Sequence, residues 1–444
     1  MSNQYLEIVP SNTTSNGKLS FQGGQPVVQF IIGEQQRHLL GESVRLVGNF
    51  SVLANTTPTI PTSGDKLSMD GRTALYSTID QIVIKSQATN QTIEHIRNYN
   101  RFMASYLNAT NDLGDGLSHL NETGLQVLNH KLIKTGVVDN QANLGKSNTF
   151  ALSLPCGLFN GSPPIPLARD WGIGGLILEV HLASDSNVLY DTAEAGGNIK
   201  DAYYEYSNMY LSCEVQTPSP QDLSKLQSSG SSGNTFEYNS ISSYYTSIAS
   251  SNGIINFALG LSRVLSVFCN FISASHINNR SFNGMSTWYP TNGDNSVAFI
   301  KQLIFTRGGE RLPLEYNIDT IQERDSSNLF PDSQILRNYV NAIQSFPKNK
   351  RNLMNPENMV MTSTIAAVAP SAVGGYNRYN DGGAGFGIGV AFDTISNQGI
   401  SFQNTNFGIN LDLNLITNNP QAVFMFVHSK QTLVFNQSGI QIIT

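Results

Sequence analysis

Charge is scarce in this chain: only 13% of its 444 residues are Asp, Glu, Lys or Arg. Acids outnumber bases, 32 to 26, for a formal net charge of −6. A protein that neutralises nucleic-acid phosphate over a broad face needs the opposite balance, so specific nucleic-acid binding is not expected. The densest basic cluster, Lys348-Asn349-Lys350-Arg351, follows a helical stretch and reads as a solvated helix exit, suited to the negative end of the helix dipole.

Cysteine is rarer still. Cys156, Cys213 and Cys269 are an odd number with no CxxC spacing, so neither a disulfide framework nor a zinc site is indicated. Each sits in an apolar or strand-like stretch and reads as a buried small hydrophobe. No apolar run reaches about 18 residues, and no basic segment followed by an apolar one opens the chain, so neither a membrane span nor a signal peptide is expected. Synthesis in a reducing cytosol follows. Sequons such as those at Asn55, Asn108 and Asn279 are then chance products of an Asn-, Ser- and Thr-rich composition.

Catalytic patterns are absent too. The seven histidines, His38, His95, His119, His130, His181, His276 and His428, form no HExxH or close pair, and no Walker A, GxSxG or EF-hand pattern occurs. The run Gly382 to Gly389 lacks GxGxxG spacing and reads as a Gly-rich loop entering a strand. Asn111 to Gly116 departs from calcium-loop spacing and reads as a turn that ends a helix. No catalytic, cofactor-binding or metal-ligating residue is assigned, and the chain is not expected to be an enzyme.

What the sequence does contain is a repeat. Val47-Gly48-Asn49-Phe50 answers to Phe268-Cys269-Asn270-Phe271, and Ile79 to Ile84 answers to Ile300 to Phe305, both at an offset of 221 residues (49 to 270, 79 to 300). Val27 to Phe30 resembles Ile254 to Phe257, and Ile177 to Leu182 resembles Ile409 to Leu415. Such self-similarity points to a tandem duplication of one domain.

Strands dominate each copy. Residues 27–32, 44–53, 79–85, 149–154, 175–183 and 203–216 are strand-like in the first, and 254–260, 264–274, 297–306, 386–393, 407–416 and 422–436 in the second. Alternating strands have one apolar face to bury, so sheets packed face to face are expected. Helical spacing appears twice. Ile93, Ile96, Tyr99, Phe102, Met103, Tyr106 and Leu107 predict one helix; Ile335, Leu336, Tyr339, Val340 and Ile343, after Pro331-Asp332-Ser333, predict another. Thr217 to Asn234, rich in Ser, Gly, Pro and Gln, reads as a linker. The expected organisation is therefore 1–216, 217–234 and 235–444. The polar stretch through Gly24 reads as an arm, and 55–71, 184–201, 278–296 and 370–385 as long loops.

The motifs and their order resemble one family. Ile79-Asp80-Gln81-Ile82-Val83-Ile84, a turn, and Ile93-Glu94-His95-Ile96-Arg97-Asn98-Tyr99-Asn100 look like the pattern of double jelly-roll major capsid proteins of virophages and polinton-like viruses. Phe150 to Phe159 resembles that family's strand leading to a Gly-Leu-Phe turn, and Tyr206 to Glu214 the strand closing its first barrel. The resemblance implies an all-β fold with minor helices, built as two tandem eight-stranded jelly-roll sandwiches. It further implies a homotrimer acting as a pseudo-hexameric capsomer of an icosahedral virion, made in the host cytoplasm. Neighbouring capsomers, penton proteins and minor capsid or cement proteins would be its partners. An internal membrane beneath the shell is compatible with the resemblance, and nothing in the sequence indicates one.

In such an assembly aromatic anchors dominate the contacts. Trp171, Trp288 and Tyr289, large apolar groups beside Gly/Pro-rich turns, are the candidates for trimer or inter-capsomer contact, with packing inside their own domain as the competing reading. A carbohydrate-binding or adhesive β-sandwich, such as a viral fibre component, is the alternative function.

Overall fold

The computed structural model describes residues 3–12, 17–54, 67–70, 73–110, 148–160, 163–191, 202–228, 233–248, 252–280, 284–285, 300–312, 333–345, 387–392, 398–413, 421–436 and 439–444. The turn expected at 111–116, the basic cluster at 348–351, and Trp288 and Tyr289 lie outside the described residues.

Strands up to Gln216 form two principal sheets. The larger runs β1 (Asn3–Ile8), β12 (Ala202–Gln216), β4 (His38–Ala54), β8 (Asn148–Ser153), with β2 (Lys18–Leu19) joined to β12 and β9 (Ile165–Pro166) to β4. The smaller runs β3 (Val27–Ile32), β10 (Leu176–Leu182), β6 (Ile79–Ser86), β7 (Thr92–Arg97). A short pair, β5 (Leu67–Met69) and β11 (Leu189–Asp191), stands apart.

From Asn234 onward the plan recurs. The larger sheet runs β13 (Asn234–Ile248), β20 (Gln421–Asn436), β15 (Val264–Ser273), β18 (Gly387–Ala391), with β21 (Gly439–Ile443) on β20. The smaller runs β14 (Asn252–Ala258), β19 (Asn406–Leu413), β16 (Ile300–Arg307), β17 (Glu310–Arg311). Of the eight principal strands in each half, counted along the chain, the first, eighth, third and sixth build the larger sheet. The second, seventh, fourth and fifth build the smaller. Each repeated segment falls on matching strands: 47–50 and 268–271 on β4 and β15, 79–84 and 300–305 on β6 and β16, 27–30 and 254–257 on β3 and β14.

Period-2 alternation makes these strands. Along β10, Leu176, Leu178, Val180 and Leu182 are buried while Ile177, Glu179 and His181 face outward, so one face joins the core. Phe50 of β4 meets Tyr206 of β12, and the Tyr206 hydroxyl lies against Thr78 Oγ1, tying the larger sheet to the segment entering β6. Cys156, Cys213 and Cys269 are all free and buried, as expected.

Helix α1 spans Tyr99–Thr110, α2 Asp185–Val188, α3 Pro220–Ser228 and α4 Ser333–Gln344. The first predicted helix therefore starts late. Ile93 and Ile96 belong to β7, whose spacing of three merely continues that of Tyr99 and Phe102. The break is Asn98, at φ +53, a left-handed turn that Asn tolerates; its carbonyl then accepts from the amides of Arg101 and Phe102. Among the strands that escaped the sequence reading are two edge strands of the larger sheets. Residues 3–8 of the expected arm are an edge strand, antiparallel to β12, and β13 begins at Asn234. The expected linker holds α3, capped by the Ser219 hydroxyl accepting from the Asp222 amide at 3.1 Å.

Candidate functional site: the junction between the sandwiches

Two like sandwiches in one chain act as one body only if something fixes them together, and the junction shows what does. The edge strand β7 of the first lies beside the edge strand β13 of the second. Between them sits Glu94, 2% exposed. Its Oε1 accepts from the amides of Gly157 at 2.9 Å and Ile241 at 3.0 Å, and Oε2 from Leu158 at 2.9 Å. One carboxylate thus ties three segments from both sandwiches. The Tyr238 hydroxyl reaches across as well, 3.0 Å from the carbonyl of Ile93 and 2.7 Å from Gln431 Oε1. Gly157 is required here because a Cβ would run into Asn239 O, Ser240 Cα and Glu94 itself.

Burial pushes the Glu94 carboxyl up to about 7, and its three backbone donors only partly offset that loss of hydration. The neighbouring Cys156 thiol is raised as well, again by burial. An uncharged, protonated Glu94 is therefore accessible near neutrality.

Helix α1 supplies the apolar half of the junction. Its Phe102 ring lies 6.1 Å from Phe268 and 5.6 Å edge-on from Phe426, both on the outer face of the second sandwich's larger sheet. The Arg101 guanidinium stands 5.2 Å over Phe424. Asn270 donates through Nδ2 to the Arg101 carbonyl at 2.9 Å and to Ser105 Oγ at 2.7 Å. Helix α4 covers the rest of that face, where the Ser266 hydroxyl donates to the Ala342 carbonyl.

Arg101 is a buried cation with an incomplete set of partners. It is 2% exposed, and neither Nη1 nor Nη2 finds a hydrogen-bond partner. Burial lowers it to about 10, opposed by the more distant Asp70 and Asp80. Removing a buried charge of this kind for an apolar chain of similar length is neutral or stabilising. Arg101→Met should accordingly leave the urea midpoint of unfolding unchanged or raise it; a fall would show that the cation–ring contact outweighs desolvation.

Of the aromatic residues singled out in the sequence, Trp171 alone is described. It is 2% exposed and packs within its own chain, its Nε1 donating to Gln36 Oε1 at 3.0 Å and its ring 5.4 Å from His38. None of the residues that join the sandwiches, Glu94, Arg101, Phe102 and Asn270, was named as a contact residue. Asn270 carried a signal, since it falls inside the repeat. Among the described residues, no group of three or more His, Cys, Asp or Glu side chains is placed to hold a metal ion. No described helix is long and apolar enough to cross a membrane.

No protein-family model and no curated protein matches the chain. Solved structures do. The Faustovirus major capsid protein matches with a TM-score of 0.55 at 8% identity, over 98% of this chain and 90% of that one. The mavirus major capsid protein matches at 0.50 and 12%, over 99% and 89%. The PBCV-1 capsid protein fitted into the virophage Sputnik reconstruction matches at 0.55 and 12%, over 100% and 96%. The fold is a double jelly roll. The larger and smaller sheets of each half are then the two sheets of a jelly roll, and α1 and α4 fill the same slot in each, between the fifth and sixth strands. Both α1 and α4 sit at the junction.

Proposed function

We propose that this chain is a viral major capsid protein that trimerises into pseudo-hexameric capsomers and tiles an icosahedral shell. The observation that carries the reading is the junction: two jelly rolls of identical winding are locked into one body by a buried carboxylate and an aromatic cluster. Three such chains present six like lobes, so a threefold assembly fills a hexagonal lattice. Full-length likeness to capsid proteins supports this over an adhesive or sugar-binding role. The duplication is the working feature; no side chain turns over a substrate. Neighbouring capsomers, penton proteins and minor or cement proteins are the partners on this reading, and the virion, assembled after synthesis in host cytoplasm, is the place.

Light scattering coupled to size-exclusion chromatography tests it. The purified chain should elute near three times 48.4 kDa. A monomer that persists at tens of micromolar would overturn the reading.

A further inference from the structure

The two jelly rolls are wound alike but stand in different surroundings. In the second, the outer face of the larger sheet is covered: Phe268, Asn270, Phe424 and Phe426 are buried beneath the first roll's α1, and Glu94 caps the edge strand β13. Among the described residues, the matching face of the first roll has no such cover. At the offset of 221, Val47 stands where Phe268 does and Asn49 where Asn270 does. Across the sheet, Val47 pairs with Tyr210 as Phe268 pairs with Phe426. Yet Val47, Asn49 and Tyr210 are only partly buried.

The correspondence reaches the sheet edge. Arg45 pairs with Ser212, and Ser266, 221 residues on, pairs with His428; Ser212 in turn pairs with Glu7, and His428 with Ile241. Glu7 of β1 therefore holds the position of Ile241, whose amide Glu94 caps. Around it the edge lies bare: Tyr5 of β1 is 74% exposed and Val9, just past the strand, 73%.

The covering side has its counterpart too. Ile84 pairs with Glu94, while Phe305, 221 residues on, accepts from the amide of Leu312. Leu312, just past β17, thus stands at Glu94's position, an apolar side chain in place of the carboxylate.

We propose that the outer face of the first roll, bounded by β1, is the seat for the second roll of a neighbouring copy, with Leu312 of that copy against Glu7. The proposal rests on the trimer reading above and assigns its contact surfaces. Inside the chain, the fifth-strand edge of the first roll covers the second; between chains, the same edge of the second roll covers the first roll of the next copy. Arg311, beside Leu312, supplies charge of the sign that complements Glu7. A head-to-tail contact of this kind closes a ring of three. The six junctions of that ring pair the same edge with the same face, but those between chains lack the buried carboxylate and the two helices that fill the junction inside the chain.

Cross-linking decides the placement. In the full chain carrying Glu7→Cys together with Leu312→Cys, a short bis-maleimide should give covalent products at two and three chain masses on a denaturing gel, and neither single variant should. The three native cysteines are buried and should contribute no background. Tyr5→Asp with Val47→Asp should abolish the trimer at concentrations where the parent is wholly trimeric, leaving the circular dichroism of a folded chain. A trimeric parent that does not cross-link between positions 7 and 312 overturns this placement alone. A monomeric parent overturns the trimer reading, and this placement with it.

Discussion

Truncating Glu94 to alanine is expected to destabilise the chain by about 3–5 kcal/mol, read as a lower urea midpoint, because three buried amides lose their acceptor together. An unsatisfied buried donor costs about 1–3 kcal/mol, and the space left by the carboxylate has room for water to relieve part of that loss. The amides of Gly157, Leu158 and Ile241 come from both rolls, so the damage falls on the junction rather than on either core. An unchanged midpoint would mean that the carboxylate does not hold the rolls together.

The same residue carries a pH signature. Its folded-state value, about 7, lies above the ordinary 4.5, so the folded chain holds this proton more tightly than the unfolded one. The stability Glu94 contributes is therefore full below about pH 4.5, declines as pH rises toward 7, and is level above. His428 acts in the opposite sense: burial pushes it down to about 3, so its contribution is present above pH 6.5 and is lost as pH falls. Between pH 4.5 and 6.5 the two offset each other in the parent. Glu94→Gln removes one of them. The glutamine keeps an oxygen for two amides but turns an NH2 toward the third donor, so it is less stable than the parent at pH 4.5. The gap should close by on the order of 3 kcal/mol by pH 7.5. A gap that stays constant would place the Glu94 titration outside that range.

The repeat made the duplicated fold legible, because strands that pair inside a core must keep their alternation and their spacing. Val47 to Phe50 and Phe268 to Phe271 match for that reason. The edge strand β13 was hidden, because its core-facing positions include Ser240, a polar residue that is buried. A serine in that place reads as loop. The start of α1 was hidden as well, since the left-handed turn at Asn98 leaves no mark on hydrophobic spacing. Glu94 was the least legible of all. It sits in an apolar run, Ile93-Glu94-His95-Ile96, and the amides it accepts from lie 63, 64 and 147 residues away in sequence. Local pattern marks an acid in such a run as solvent-facing; only the tertiary fold brings the donors that let it be buried.

Phe102→Ala should cost about 3–5 kcal/mol, the range for emptying a phenylalanine site in a packed interior. Phe102 is fully buried, and its ring touches Tyr99 and Tyr106 on its own helix as well as Phe268 and Phe426 across the junction. Neighbours on the helix cannot close the gap without leaving their own contacts. Those across the junction are held by strand pairing, Phe268 to Phe426 directly. The cavity thus persists, and it lies between the rolls. Loss of Phe102 should therefore do more than lower the midpoint: unfolding should become less cooperative, with fluorescence and circular dichroism transitions that no longer coincide. Phe102→Leu, which refills most of the volume, should restore coincidence and recover most of the stability. Coincident transitions in Phe102→Ala, with a loss below about 1 kcal/mol, would show that the aromatic cluster is not what couples the two rolls.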